Sequence, residues 1–328
     1  MTDTRYLVHG VFWDGTPASR QEDDGGSPVL RLEAPSGAFR EVSLHPGARL
    51  GFQVSGGRFC LGHHKVHSES RRDHVPCPAG APAAKGKQCE RCFVLDDSRL
   101  IHDFHRGGRV PAGLRTYLMQ QHWLYVATFA RGTSKVGTAS QLRKWNRLAE
   151  QGAVVARYVA RARDGRVVRL LEDLVSARAG LTQQVRSAAK EEALVQPLPE
   201  AGLDALNARH AAAVRTMLAS VAVEGFDRVD EQWVRPAQAS GLCEPAARHG
   251  YPHALDGGQH GFSIAALSGT NALARLDRTE AAFVVNLGRL AARTVVLGNF
   301  ASEVPAVQEP LFQAGAGGDC LLGRLGRC

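Results

Sequence analysis

Apolar and polar positions alternate with a period of two in four short runs near the start of the chain, YLVHGVFW, PVLRLEA, FREVSL and RLGFQV. Gly, Pro or Asp separates them, so the pattern predicts β-strands with one buried face. A cysteine-rich stretch from Cys60 to Cys92 follows, and residues 106–116 read as a connection. WLYVATFA, dominated by aromatic and β-branched residues, predicts a strand; RGTS closes it as a turn and SKVGTA supplies a short partner. The period then changes. In SQLRKWNRLAEQ, Leu142, Trp145, Leu148 and Ala149 recur at helical spacing, with Ser140 as N-cap and Gly152 as C-cap. Arg143 and Arg147 are four apart, which puts both on one side of that helix. AVVARYVARA returns to alternation. After Asp164–Gly165, VVRLLEDLV predicts a second helix whose stripe is Val167, Val168, Leu170, Leu171, Leu174 and Val175. Glu172 borders that stripe instead of facing solvent.

VQPLPEAG (195–202) reads as a linker, followed by a helix over 203–221 with Leu206, Ala212, Val214, Met217 and Leu218 at mixed helical spacings. FSIAALS, ALARLD, AAFVVNL and ARTVVLG then return to strands, and the glycine-rich tail from Gln313 is expected to be loose. The order predicts an α+β protein in three parts. Residues 1–105 form a β module carrying the cysteines, 106–194 a central β-β-α-β-α layer, and 195–328 a helix followed by a β-rich part. Neither terminal set of strands is long enough for a rich core of its own, so one composite β unit is expected.

The chain has 328 residues, 44% hydrophobic and 22% charged, which is ordinary for a globular protein. No run reaches the length of a membrane span, and MTDTRYLVHG lacks the apolar core of a signal peptide. The cytoplasm is the expected location, where seven cysteines read as metal ligands or plain thiols. The formal charge is +8, carried by many more Arg than Lys, a bias that a G+C-rich coding sequence also produces. Its distribution says more: residues 120–190 hold thirteen Lys or Arg against four Asp or Glu, more than the whole excess. A local basic face of that kind fits a nucleic-acid partner, DNA or RNA.

Cys60, Cys77, Cys89 and Cys92 stand in CLGHH, VPCPAG and QCERCF. A C-x-x-C turn brings two thiolates onto one tetrahedral ion, and two upstream cysteines complete a closed shell, so a structural Zn²⁺ is expected. His63, His64, His67 and His74 are substitutes for the first two; buried free thiols or a redox pair are the plainer alternative. A second cluster, Cys243, His249, His253 and His260, falls in a Gly- and Pro-rich loop and is not assigned a metal.

Strand, strand, helix, strand, helix is the order from Trp123 onward, and here the residues resemble the GIY-YIG nuclease superfamily. Trp123–Leu124–Tyr125 occupies the first motif and Lys135–Val136–Gly137 the second. A basic helix and a glutamate on the next helix follow in the family's order. The whole chain also resembles a bacterial protein family in which a four-cysteine zinc module precedes such a core; RLAEQGA, Arg147 to Ala153, is part of that likeness. The resemblance implies that Tyr125 helps to activate the nucleophile, that Arg143 or Arg147 stabilises the transition state, and that Glu172 holds a catalytic Mg²⁺ or Mn²⁺. Trp123 stands in place of the first-motif glycine and Lys135 in place of the second-motif tyrosine. Lys135 is then a phosphate-positioning cation or a desolvated base, and its charge is expected to lower the pKa of Tyr125.

A metal-dependent nuclease, or a related phosphodiester-acting enzyme on DNA or RNA, is the function this resemblance implies. Two alternatives stay open: a non-catalytic nucleic-acid-binding zinc protein with a degenerate core, and redirected chemistry on a phosphate-bearing substrate such as a charged tRNA or nucleotide. The plain reading of each residue is a core tyrosine at 125, a solvated helix face at 143 and 147, and an ion pair from Glu172 to Arg169 or Arg178. The nuclease reading requires Tyr125, Lys135, an arginine and Glu172 to face one cleft, and it fails if the sheet separates Tyr125 from Glu172.

Overall fold

The computed structural model describes residues 4–13, 27–101, 104, 107–244 and 247–303. The tail from Gln313 lies outside them. Four strands open the chain: β1 Arg5–Trp13, β2 Pro28–Glu33, β3 Phe39–Ser43 and β4 Arg49–Ser55. A small hairpin, β5 His63–Val66 with β6 Arg72–Val75, and helix α1 Glu90–Leu95 carry the cysteine region. Helix α2 Ala112–Met119 occupies part of the segment read as a connection. Next come β7 His122–Thr128, β8 Ser134–Ser140, α3 Lys144–Gln151, β9 Val155–Ala162 and α4 Gly165–Ala179. They are followed by α5 Ser187–Val195, α6 Glu200–Leu218, β10 Phe226–Gln232, β11 Arg248–Gly250, β12 Gly258–Ser268, β13 Asn271–Arg275, β14 Ala282–Asn286 and β15 Thr294–Leu297.

The two ends of the chain share one nine-stranded sheet, in the order β11-β14-β13-β12-β4-β15-β1-β2-β3. β4 lies between β12 and β15, so the expected composite β unit is present and its strands interleave. The central sheet is antiparallel, in the order β10-β9-β7-β8. Helix α6 packs on β7 and β9, and β10 extends the sheet, so the first part of 195–328 belongs with the central layer.

Every residue of β7 is buried, because each face of the central sheet is covered. On one face Leu124, Val126, Val136 and Val159 pack against Val168, Leu171 and Val175 of α4 and Ala211 and Val214 of α6. On the other, Trp123, Tyr125, Ala127 and Tyr158 join Trp145 and Leu148 of α3 and the inner face of the large sheet. Trp145 binds the two layers, with its ring 6.5 Å from Trp13 and 6.3 Å from Trp233.

The local signals act as their chemistry dictates. Asp164 caps α4, its carboxylate accepting from the amides of Arg166 and Val167 at 2.9 Å, and Gly180 ends that helix at φ 66°. Gly152 ends α3 at φ 70°. Ser140 makes no capping bond; residues 141–143 form a 3₁₀ turn and the α-helix starts only at Lys144. Leu142 and Leu170, both assigned to apolar stripes, are about half exposed. On α6 the buried face is Leu203, Asn207, Ala211, Val214 and Leu218. Asn207 is fully buried because its amide donates to the carbonyl oxygen of Val126 at 3.1 Å and to Thr128 Oγ1 at 2.9 Å.

Candidate active cleft and cysteine cluster

The β7–β8 register decides whether Tyr125 and Lys135 share a face. Tyr125 pairs with Gly137 across the β7–β8 ladder, and Lys135 pairs with Ala127, so Tyr125 and Lys135 are diagonal neighbours on one face. The Lys135 ammonium lies 5.8 Å from the centre of the Tyr125 ring. That ring lies directly over Gly137: a Cβ there would stand 2.5 Å from the tyrosine hydroxyl. Glycine is required by close approach, with no unusual backbone angle.

Tyr125, Lys135, Arg143, Arg147 and Glu172 all line one cleft of about 870 Å³. The sheet nevertheless separates the elements that carry them, the arrangement on which the assignment of Tyr125 and Glu172 to one nuclease reaction fails. Tyr125 packs on the α3 face, whereas α4, which bears Glu172, covers the opposite face. The two side chains line the same cleft because β8 is an edge strand, and Glu172 comes into range of Lys135 past that edge. Beside them the segment after α4 returns along the edge, where the amide of Val136 donates to the carbonyl of Thr182 at 3.0 Å.

Electrostatics sets the character of the cleft. Seven Lys or Arg side chains line it against two carboxylates, Glu69 and Glu172. Burial pushes the Lys135 ammonium down to about 8, a trend deepened by Arg147 and opposed by Glu172. Burial likewise lowers Lys190 to about 8; its ammonium donates to the carbonyl of Gln151 at 2.9 Å. Burial raises Glu172, with Arg169 and Lys135 pulling the other way. Tyr125 is fully buried and pushed up to about 12, chiefly by desolvation, although Arg147 pulls it down. The expectation that Lys135 lowers the tyrosine's pKa is therefore reversed: the phenol stays neutral. Its hydroxyl accepts a hydrogen bond from Gln151 Nε2 at 3.0 Å.

The arginines divide. Arg143 sits in the turn before α3, not on its face, and pairs with Glu150. Arg147 is exposed on the helix and reaches toward the tyrosine. Glu172 is 5% exposed and bonded by Arg169 Nη1 at 2.7 Å, the ion pair foreseen as the plain alternative. Several of the thirteen local cations are also neutralised from afar: Lys144 by Glu231, Arg157 by Asp204 and Arg161 by Asp227. Charge that is local in sequence is thus partly offset in space, and Lys135, Arg147, Arg186 and Lys190 line the cleft.

Glu172 offers a divalent ion a single carboxylate. One carboxylate oxygen accepts from Arg169, Lys135 also acts on it, and among the described residues no group of three His, Cys, Asp or Glu ligands includes Glu172. Mg²⁺ is held through one or two carboxylates together with waters and substrate phosphates, so Glu172 would be its protein ligand here, in competition with Arg169.

The four cysteines do converge. The sulfurs of Cys60, Cys77, Cys89 and Cys92 all lie within 4.8 Å of one another. Cys89 precedes α1 and Cys92 lies in its first turn, which is how C-x-x-C aims two thiols at one point. Lys85 and Gln88 bridge across the turn before Cys89, with Gly86 at φ 64°. Burial raises the Cys77 thiol, but the amides of Ala81 and Ala79 outweigh it and hold the group at about 7. No histidine is needed in the cluster, and His74 makes other contacts. In the second cysteine–histidine group, His253 and His260 are ring neighbours at 6.4 Å, and no metal-sized cluster forms there among the described residues.

Sequence reasoning missed Gln151, Lys190 and Arg169 as parts of the cleft. Only RLAEQGA, quoted as a family-like string, contained a hint of Gln151. Comparison of the chain with known protein families, with curated proteins and with solved structures found no match. No helix among the described residues is long and apolar enough to cross a membrane.

Proposed function

We propose that the cleft binds the phosphate backbone of a nucleic acid and acts on its phosphodiester bonds, with Lys135 as the proton-transfer group. One observation carries this reading: four titratable side chains with displaced pKa values, Tyr125, Lys135, Glu172 and Lys190, converge on one cationic cleft. Convergence of that kind marks sites where proton transfer is tuned. The strand order β8-β7-β9, with a helix after β8 and another after β9, supports the likeness to a GIY-YIG core.

In this reading Arg147 and Lys190 hold the phosphate oxygens. With its pKa near 8, Lys135 exists partly as the free amine near neutrality and takes a proton from the attacking water. As the water oxygen bonds to phosphorus, the ester P–O bond breaks and the departing sugar oxygen takes a proton from solvent. The guanidinium of Arg147 offsets the charge that develops on phosphorus-bound oxygen. Tyr125, neutral and fully buried, packs beside Lys135, and its hydroxyl accepts from Gln151. Glu172 tempers the charge of Lys135 and anchors Arg169. For the cysteine cluster we propose one structural Zn²⁺; a closed thiolate shell leaves it no open position for chemistry.

A second reading has its own support. Tyr125 is buried and Glu172 is tied to Arg169, an arrangement that also suits a cleft that binds nucleic acid without cutting it. Binding and cleavage of mixed single- and double-stranded DNA and RNA separate the two, with wild type beside Lys135→Met and Glu172→Gln, with and without added Mg²⁺. Cleavage lost in Lys135→Met supports the enzyme. Binding without cleavage by wild type under every condition supports the binding protein instead.

A further inference from the structure

Outside the cleft and the cysteine cluster, one group of side chains has the composition of a metal shell. His9 of β1, Glu33 of β2 and His74 of β6 each offer a ligand atom, all within 4.8 Å of one another. Glu33 Oε2 lies 2.6 Å from His9 Nε2, and the side chains of that pair are 11% and 7% exposed. The rings of His9 and His74 meet edge to face at 4.9 Å, and Phe39 closes one side at 4.9 Å from His9. We propose that His9, Glu33 and His74 bind a second divalent first-row metal ion, which pins the cysteine module to the large sheet and keeps one coordination position open.

Three features of the backbone prepare this arrangement. The β1–β2 register slips between Val8 and Gly10, so His9 is the extra residue of a β-bulge, and Gly10 at φ 135° allows it. A bulge re-aims a side chain. On the other partner, His74 Nε2 lies 2.6 Å from the carbonyl oxygen of Leu61. A carbonyl only accepts, so Nε2 carries the hydrogen and Nδ1 of the neutral ring has a free lone pair. Metal-bound imidazoles are oriented in this way by a backbone carbonyl. Gly62 makes the approach possible, since a Cβ there would stand 3.0 Å from His74 Nε2. Burial also lowers the pKa of His74, favouring the neutral ligand form.

The spacing suits a small ion. Bonds of about 2.0–2.1 Å in a tetrahedral shell set nitrogen and oxygen donors about 3.3 Å apart. The 2.6 Å His9–Glu33 pair opens slightly and the wider pairs close by at most about 1.5 Å, within reach of rotamer adjustment. Two imidazoles and one carboxylate favour Zn²⁺, Fe²⁺ or Co²⁺ over Mg²⁺ or Ca²⁺. The Leu61 carbonyl that orients His74 is the neighbour of Cys60, so the two metal sites share a segment of backbone.

Cobalt titration of tag-free, metal-stripped full-length protein tests the proposal. Co²⁺ on thiolates gives an intense near-ultraviolet charge-transfer absorption that Co²⁺ on imidazole and carboxylate lacks. Two equivalents are expected to bind, one with the thiolate signature and one without it, and Zn²⁺ is expected to displace both. Glu33→Gln and His74→Ala should each lose the second equivalent and keep the thiolate band, which also reports that the module is still folded. A wild-type titration that stops at one equivalent overturns the proposal, whatever the variants do. So does a second equivalent that survives both substitutions.

Discussion

Replacing Lys135 with Met is expected to make the protein more stable while removing the proposed proton transfer. The ammonium has an ordinary pKa of 10.5 and is pushed down to about 8 by burial. At about 1.4 kcal/mol per pH unit, keeping that charge in the cleft costs about 3 kcal/mol below pH 8. Methionine fills similar volume with no charge to desolvate. Glu172 loses one stabilising neighbour in the exchange, so the net gain near neutrality is about 1 to 3 kcal/mol. The sign with pH follows from proton counting. Between about 8 and 10.5 the unfolded chain keeps the lysine proton and the folded chain has lost it, so wild-type stability rises across that window. The advantage of Lys135→Met is therefore full below pH 8 and shrinks toward nothing by pH 10.5. Lys190 is present in both proteins, but Lys135 is one cause of its lowered pKa, so the exchange also relieves Lys190 and adds to the gain below pH 8. Denaturant unfolding of both proteins at a series of pH values measures the effect. A variant that is less stable than wild type, with a difference that does not change with pH, would refute the reasoning.

Other perturbations test separate contacts. Gly137→Ala should destabilise by about 1–3 kcal/mol, because the new methyl stands 2.5 Å from the Tyr125 hydroxyl; an unchanged denaturant midpoint contradicts that packing. Asn207→Leu should cost about 2–4 kcal/mol by removing the amide that bonds the Val126 carbonyl and Thr128 Oγ1 and leaving Arg157 with Asp204 alone, again by unfolding. Arg147→Ala should weaken nucleic-acid binding and lower the salt slope by about one, while Arg143→Ala, already paired with Glu150, should do less; equal effects contradict the assignment. Cys92→Ser should drop bound zinc by one per chain and expose residues 60–95 to limited proteolysis, with metal content as the readout.

Local chemistry was legible in the sequence and distance was not. The β7–β8 hairpin, the Asp164 cap and the Gly152 and Gly180 ends follow from residues within a few positions of each other. The four cysteines could be grouped because thiolates have few other uses at that spacing. Lys190 was visible as one charge in a basic run, but its position under Gln151 depends on α5 folding back over the cleft. The sign of the Tyr125 shift failed for a similar reason. A neighbouring lysine can be guessed from a hairpin register, whereas full burial between two sheets comes from the large sheet packed behind α3. Glu172 was recognised as anomalous on its stripe, and the reason is Arg169 one turn before it. His9 and Glu33 gave no signal, since a bulge and a strand pairing bring them together across twenty-four residues of chain.

The central claim is that Lys135 moves a proton at a phosphodiester bond, and the pH dependence of kcat/KM on a nucleic-acid substrate tests it most directly. The account predicts a rate that climbs with pH and levels off above about 8, the pKa of the free enzyme's lysine, and a Lys135→Met protein whose residual rate lacks that rise. A wild-type profile flat across this range, or a Lys135→Met protein that retains both rate and profile, would contradict it.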